Sequence, residues 1–558
     1  MAQSASHAKA SPVGASLLYR RWRPALRDAF PVWLTLAAVT TLPYLVAALR
    51  APGGHVFSGV LTAYDDTFSY LAWMKQSANG HWLMCDLYTS EPQACEFFLP
   101  LWALLGLISR IAGAPQAWVF HGARLVAAFL LLVAARSVAA GVMKSRRRLR
   151  FTLWLYAMSG GLGWLVFLLN NGNSLFSASV TSGSVDLNLP EAIAFRSAFA
   201  QVHFTVGAAL VALSIHLVFS SLLEGKIRQG ISAGLMVSLV SVVHPYLVIV
   251  VLAVAGVSMA LWPLINGRER NVKNAYIIVA RVGLAFGSGA APGLAYLIYL
   301  NQSNELLREW LRVTDTFSPH PLEYALGFGL VGALAVVGFG LLWRDRAPGG
   351  RLLLIWVIIQ AALLYAPVSY QRRFVEGLQL PLCVAASVAA FWLMRKLGLS
   401  GRVRSFALIA LVTITSLTNI GFIIGQVVAR GDASGGNDPR RYLASNLADA
   451  LNWLAVHAER DAVIFSSYLT GNIAPSMTGL RVYLGHYGQT LQSDEKGESV
   501  TALYRGELSD DEACILFERH RVSYVVYGPF ERETSESVDP PRCVKLIRSF
   551  GDVHLFKV

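Results

Sequence analysis

Apolar runs of about twenty residues alternate with short polar breaks from residue 29 to residue 427. That length suits a helix crossing a bilayer, and the repetition predicts a multi-pass, mainly α membrane protein. The runs fall at 29–49, 118–142, 151–169, 201–223, 231–244, 246–265, 276–300, 322–343, 352–367, 377–394 and 405–427. The fifth is short and ends at His244-Pro245, which reads as a broken helix. A further apolar stretch, Leu99 to Ile111, is too short to span and is followed by Gly113 and Pro115. It is expected to lie at the interface or to re-enter the membrane.

Beyond residue 430 the pattern changes. Gly431 to Pro439 reads as a Gly/Asp/Asn linker, and the rest alternates helical and strand periods. Tyr442 to His457 is amphipathic, Ala462 to Phe465 and Val522 to Tyr527 read as buried strands, and Asp510 to His520 as a helix between strands. Lys545 to Ser549 and Val553 to Val558 form a hairpin pattern around Gly551-Asp552. The expected organisation is a tail at 1–28, a membrane domain at 29–428, and a small α/β domain at 438–558.

Charge assigns sides. The chain is 54% hydrophobic and 15% charged, with a mean hydropathy of +0.48 and a net charge of +13. The positive balance does not point to nucleic acid, because the basic residues fall in clusters between apolar runs and no basic face or binding motif appears. Those clusters are Arg20 to Arg27, Lys144 to Arg150, Lys226 to Arg228, Arg268 to Lys273, Arg344 to Arg351 and Arg395 to Arg404. Short Lys/Arg-rich loops stay in the cytoplasm. Placing all six inside gives about eleven crossings, the N-terminus inside and the C-terminal domain outside. The first apolar run lacks a cleavage site and is expected to stay as an anchor in the cytoplasmic (inner) membrane. Two long outer loops follow, at about 50–117 and 170–200. Cys85 and Cys95 share the first, and Cys514 and Cys543 share the C-terminal domain. An oxidising outer compartment permits a disulfide in each pair, while a buried free thiol is the alternative for Cys514.

The candidate chemistry lies on the outer side. Asp65 and Asp66 are adjacent in the first loop, and carboxylates held beside a bilayer are costly. One of them can cap a helix at Thr67 to Ser77, but capping needs a single residue. A carboxylate there can take the proton from an attacking hydroxyl. Two carboxylates can instead hold a divalent cation against a phosphate. The second loop carries Asp186, Glu191, Arg196 and His203. Glu191 follows Pro190 and also suits a helix N-terminus. Arg372 and Arg373 stand at the outer end of a span, where orientation does not require them. Arginine binds phosphate oxygens through a rigid fork of donors, and a phosphate on a lipid carrier would lie at that depth. The alternative is anchoring to headgroups or pairing with Glu376. Arg124 beside His121, and His244, are further candidates. Trp73, Trp82, Tyr88 and Tyr70 suit an interfacial aromatic belt better than a sugar platform. In the C-terminal domain, Gly471-Asn472 and Gly485-His486-Tyr487-Gly488 read as loop punctuation that could touch donor or acceptor. No phosphate-cradling Gly-rich fingerprint, Ser-His-Asp arrangement or metal-ligand spacing is found there.

The segments AYDDTFSYLAWMKQSANGHWL, FFLPLWALLGLISRIAG and HGARLVAAFLLLVAARSVAAG, together with the overall layout, resemble the opening of the GT-C superfamily of membrane glycosyltransferases. That superfamily includes protein O-mannosyltransferases, aminoarabinose transferases and the oligosaccharyltransferase catalytic subunit. The resemblance implies an inverting enzyme that takes a hexose or pentose from a polyprenyl-phosphate-linked donor. The sugar would pass to an acceptor glycan, lipid or protein at the outer face of the membrane. It implies Asp65 or Asp66 as base, and it leaves the metal requirement open. Some members place a second acidic group in the second loop, where this chain has Asp186 and Glu191 instead of a tight motif. A transporter or flippase, or a non-catalytic envelope assembly protein, is the alternative. Against transport, no second copy of the first half is found, and the charges cluster at the ends of the spans.

Overall fold

The computed structural model describes residues 13–169, 183–266, 272–304, 307–308, 315–428, 438–535 and 540–558. Among these, eight helices are long and apolar enough to cross a membrane: Pro24–Leu49, Gln116–Ala140, Arg146–Leu169, Val202–Glu224, Leu247–Ile265, Val272–Ser303, Pro321–Arg344 and Gln371–Lys396. The pair Gly401–Thr415 and Leu417–Val428, bent by 52°, makes a ninth if it is one span. The expected count of eleven is therefore not reached on length and composition. The two segments expected at 231–244 and 352–367 are the helices Ile227–Val243 and Pro348–Leu363, of 17 and 16 residues. At 1.5 Å per residue they measure about 25 Å, short of the roughly 30 Å hydrocarbon core. Pro245 ends the first, because its ring cannot continue the hydrogen-bond ladder. That short helix still packs tightly against Val272–Ser303. A Cβ on Gly234 would stand 2.1 Å from the Phe286 carbonyl oxygen, so glycine alone admits this approach of backbones.

The basic cluster at 144–150 gathers neighbouring helices at one end of the bundle. Asp28, fully buried, pairs with Arg136, Arg146 and Arg150 at 3.4, 2.7 and 3.0 Å. Arg147 donates to Ser405 Oγ, and Arg148 lies over the Phe391 ring. At the opposite end, strand β1 (His55–Phe57) pairs antiparallel with β2 (Tyr442–Ala444), His55 opposite Ala444 and Phe57 opposite Tyr442. The first long loop and the start of the C-terminal unit thus share one side. The chain must cross an even number of times between them.

The C-terminal unit is built on a five-stranded sheet of β3 (Val463–Phe465), β4 (Arg481–Val482), β5 (Val522–Tyr527), β6 (Lys545–Phe550) and β7 (Val553–Lys557). Their spatial order is β4-β3-β5-β7-β6. β3 is parallel to β4 and β5, and β7 is antiparallel to β5 and β6. The continuously apolar β3 is buried on both faces, as such runs require, and the hairpin closes around Gly551-Asp552 as its sequence indicates. Both expected disulfides form, Cys85–Cys95 and Cys514–Cys543, so Cys514 is not a free thiol.

The first loop carries two helices, Tyr64–Ala78 and Pro100–Ala112, packed face to face. A Cβ on Gly106 would meet the Met74 carbonyl oxygen at 2.2 Å, and Ser77 Oγ donates to Ala103 O at 2.7 Å. The segment between them docks on the C-terminal unit. Val482 N donates to Leu87 O at 2.8 Å, Tyr88 Oη to Asn472 O at 3.0 Å, and buried Lys496 pairs with Glu91 at 2.7 Å. Beside this seam Asp86 is fully buried. One of its oxygens accepts from Tyr88 N, and the other has no partner. Burial pushes its carboxyl up to about 8, against the Tyr88 N–H and the Lys496 charge.

A carboxyl raised on folding contributes stability at acid pH and loses it as pH climbs toward 8. Asp86→Asn, which keeps the acceptor for Tyr88 N, should flatten the fall in unfolding temperature between about pH 4 and pH 8. The slope removed is at most about 1.4 kcal/mol per pH unit. An unchanged profile in a thermal melt would show that Asp86 is solvated.

Candidate active site

The structure moves the helix start forward from the expected Thr67. Ala63, at φ 50° and ψ 54°, stands in the left-handed region just before helix Tyr64–Ala78, and no side chain caps it. An alanine held there is strained, a condition found at functional sites. Asp65 and Asp66 sit in the first turn, where the helix dipole favours anions, and neither caps. Successive helical residues point about 100° apart, so the two acids face different neighbours.

Asp65 is clamped. Arg440 Nη1 donates to its Oδ1 at 2.9 Å, and Tyr468 Oη donates to the same oxygen at 2.5 Å. Arg440 is itself buried and also reaches Asp438 at 2.6 Å and Asn472 Oδ1 at 2.8 Å. Burial raises the Asp65 pKa, but the Arg440 hydrogen bond and charge outweigh it, and the carboxyl is held below its ordinary value. Burial and the Asp65 charge push the Tyr468 phenol up, which keeps it a donor.

Asp66 is half-exposed and faces His486, whose Nε2 lies 3.9 Å from Asp66 Oδ1. His486 Nδ1 accepts from the backbone N–H of Gly488 and Gln489 at 3.0 and 3.1 Å, which leaves the neutral ring's proton on Nε2. That nitrogen is buried without a hydrogen-bond partner. Burial raises the Asp66 pKa. His486, then Arg373 and His203, outweigh it and hold the carboxyl below its ordinary value.

Arg372 and Arg373 lie in the turn Gln371–Val375. Arg373 stacks over the Tyr246 ring at 5.1 Å, and Arg372 Nε stands 3.9 Å from Glu191 Oε1. The Nε of each arginine is buried without a hydrogen bond. Glu376 does not pair with either. Its Oε2 lies 2.9 Å from His244 Nδ1. His203 Nε2 is 3.4 Å from Tyr70 Oη, and its ring stands 5.3 Å from that of His244. The structure thus gathers Asp66, Glu191, His203, Arg372 and Arg373 around one region.

Two expected members lie elsewhere. Asp186 is fully buried and accepts from Gly161 N at 2.7 Å, Gly163 N at 3.2 Å and Ser184 Oγ. It satisfies the backbone freed where helix Arg146–Met158 breaks. A buried chain break needs such an acceptor, so Asp186 serves the fold. Arg124 donates to Ala198 O at 2.8 Å and lies over the Tyr44 ring, inside the helix bundle. Tyr70 stacks on Trp102, and Tyr88 is buried in the domain seam, so these aromatics belong to packing.

Sequence reasoning missed Arg440, Tyr468 and the role of His486. Arg440-Arg441 follows the linker in the part of the chain that the charge pattern leads one to expect outside the cytoplasm, the same charge-rule exception that singled out Arg372-Arg373. Asn472 is not loop punctuation but part of helix Tyr468–Thr478. Among the described residues no group of three His, Cys, Asp or Glu side chains is arranged to hold a metal ion. Asp65, the nearest second carboxylate, already has a guanidinium across its oxygens. Asp65 and Asp66 therefore do not present a pair of open carboxylates to a cation.

Removing Arg440 leaves Asp65 and Asp438 without their shared cation. Arg440→Met should cost on the order of 3 kcal/mol. Tyr468→Phe should cost about 1 kcal/mol. Equal melting temperatures for Arg440→Met and the parent protein would show that the clamp is idle.

Solved structures share this architecture. The crystal structure of ArnT from Cupriavidus metallidurans in the apo state superposes with a TM-score of 0.51 at 11% identity, covering 94% of this chain and 97% of that one. The apo oligosaccharyltransferase of Archaeoglobus fulgidus gives 0.52 at 12% identity, covering 89% of this chain and 69% of that one. The mycobacterial arabinofuranosyltransferase AftD gives 0.51 at 16%, covering 94% of this chain and 41% of that one. Neither a protein-family model nor a curated protein matches the sequence. Agreement over 89% to 94% of this chain shows that it shares the fold of these solved oligosaccharyltransferase, ArnT and arabinofuranosyltransferase structures.

Proposed function

We propose that this protein is an inverting glycosyltransferase. It moves a sugar from a polyprenyl-phosphate-linked donor to an acceptor hydroxyl at the outer face of the cytoplasmic membrane. The observation that carries the reading is a half-exposed Asp66 within electrostatic reach of Arg373, in a turn where the Nε groups of Arg372 and Arg373 both lack hydrogen bonds. A structure of ArnT from Cupriavidus metallidurans, with the same fold, was solved bound to undecaprenyl phosphate, which supports a carrier of that chemistry.

In the proposed reaction Asp66 accepts the proton of the acceptor hydroxyl as its oxygen attacks the anomeric carbon. The bond from that carbon to the phosphate oxygen breaks on the opposite face, and the electron pair leaves with the phosphate. Arg373 and Arg372 meet the charge that grows there through forked donors. His486 Nε2–H orients the Asp66 carboxylate and keeps it ionised. Asp65 holds the C-terminal unit in place and takes no proton, since Arg440 and Tyr468 occupy its oxygens.

Incubation of the purified protein in lipid with a panel of labelled polyprenyl-phosphate sugars should reveal one that is consumed. Asp66→Asn should then abolish transfer with no loss of folded protein, by about a hundredfold or more. Transfer intact in Asp66→Asn would end the assignment. The pH profile gives an independent check. The acid limb of kcat/KM should lie below the ordinary carboxylate range, and His486→Ala should move it upward, because the group opposing the burial of Asp66 is gone.

A further inference from the structure

The C-terminal unit holds a cleft of about 600 Å³ that the proposed chemistry does not use. Its walls come from the start of helix Tyr468–Thr478, helix Ser493–Tyr504, and the turn around Phe530 to Thr534. Tyr468 and Tyr487 line its inner end, Phe530 is buried in its wall, and Asp494, Thr501 and Glu533 supply polar groups. The volume lies within the roughly 300–1,000 Å³ of small-molecule sites, enough for a short oligosaccharide.

Three observations narrow the ligand. First, the lining carries two carboxylates and no lysine or arginine, although the chain as a whole has a net charge of +13. Such a cleft repels a phosphate, a nucleotide or an acidic sugar and accepts hydrogen bonds from hydroxyls. Among the described residues, neither the Asp494 nor the Glu533 side chain is engaged in a hydrogen bond or ion pair, so both are open to a ligand. Second, the Tyr487 ring is 60% exposed and stacked on His486 at 4.9 Å, a flat apolar surface beside polar groups. A pyranose or furanose ring offers a matching apolar face with hydroxyls at its edge. Third, the cleft runs into the candidate active site. Tyr468 Oη accepts from Tyr487 N at 3.1 Å and donates to Asp65, and Tyr487 lies within electrostatic reach of Asp66 and Arg373.

We infer that this cleft binds a neutral, hydroxyl-rich oligosaccharide, with Tyr487 as its stacking surface and Asp494 and Glu533 as hydrogen-bond acceptors, and presents one end of it to Asp66. As an acceptor site the cleft rests on the glycosyl-transfer reading; as a binding site it does not. It makes the acceptor a glycan, in contrast to a peptide or a free lipid.

The test is binding to the full-length protein in lipid nanodiscs, followed by saturation-transfer NMR and calorimetry. The probes are neutral mannotriose, maltotriose and arabinotriose, with trigalacturonate as the anionic probe and a Ser/Thr-rich decapeptide. At least one neutral trisaccharide should bind. Tyr487→Ala and the double variant Asp494→Asn/Glu533→Gln should each weaken it by about tenfold or more, with melting temperatures at the parent value. Trigalacturonate should bind about tenfold more weakly than the best neutral probe and should gain in the double variant. No binding by any neutral trisaccharide, binding unchanged in both variants, or binding of the decapeptide alone would overturn the inference. Binding requires neither donor nor turnover. A bound trisaccharide that never receives a sugar would sink the transfer reading and leave the cleft, whereas transfer by a protein that binds none of these probes would sink the cleft alone.

Discussion

One buried guanidinium holds the two halves of this protein together. Arg440, at the first turn after the linker, meets Asp65 in the first loop and Asp438 and Asn472 in the C-terminal unit. A buried arginine without partners is costly, and each of these acceptors satisfies part of its fork. The arrangement works only when loop and C-terminal unit are in register, which the β1–β2 pairing also demands. The position of Tyr468, and through it of the Tyr487 backbone, depends on the same carboxylate.

The two neighbouring acids therefore divide their work. Helical geometry turns Asp65 toward Arg440 and Tyr468 and Asp66 toward His486. Both are held below their ordinary values by different groups: Asp65 by the Arg440 guanidinium, and Asp66 by the His486 ring and the Arg373 charge. One carboxylate has both oxygens occupied and organises structure. The other keeps an exposed side on which chemistry can occur. The strained Ala63 and the close packing at Gly106 fix the helix that carries them both.

The polar groups below Asp66 form a second layer. Tyr70, His203, His244 and Glu376 follow one another inward from the first-loop helix into the bundle. Buried ionisable groups at membrane depth are retained at a cost and mark functional regions. Here they lie behind the arginine turn Gln371–Val375 and hold its surroundings polar within an otherwise apolar bundle.

The hydrophobic periods alone determined that this is a helical membrane protein with an α/β unit at its C-terminal end. The strands at 463–465 and 522–527 and the hairpin at 545–557 were legible because burial and turn chemistry leave local marks. So was Asp65-Asp66, because paired acids beside an apolar run are rare. The crossing count was not, since an apolar run of sixteen residues reads much like one of twenty, and only the helix lengths separate them. Asp186 and Arg124 looked like site residues because their charge is visible in sequence and their partners are not. One satisfies a helix break and the other a backbone carbonyl. The different surroundings of Asp65 and Asp66 could only come from tertiary structure. They rest on Arg440, Tyr468 and His486, which stand more than 370 residues away along the chain and reach the acids only through the folded interface.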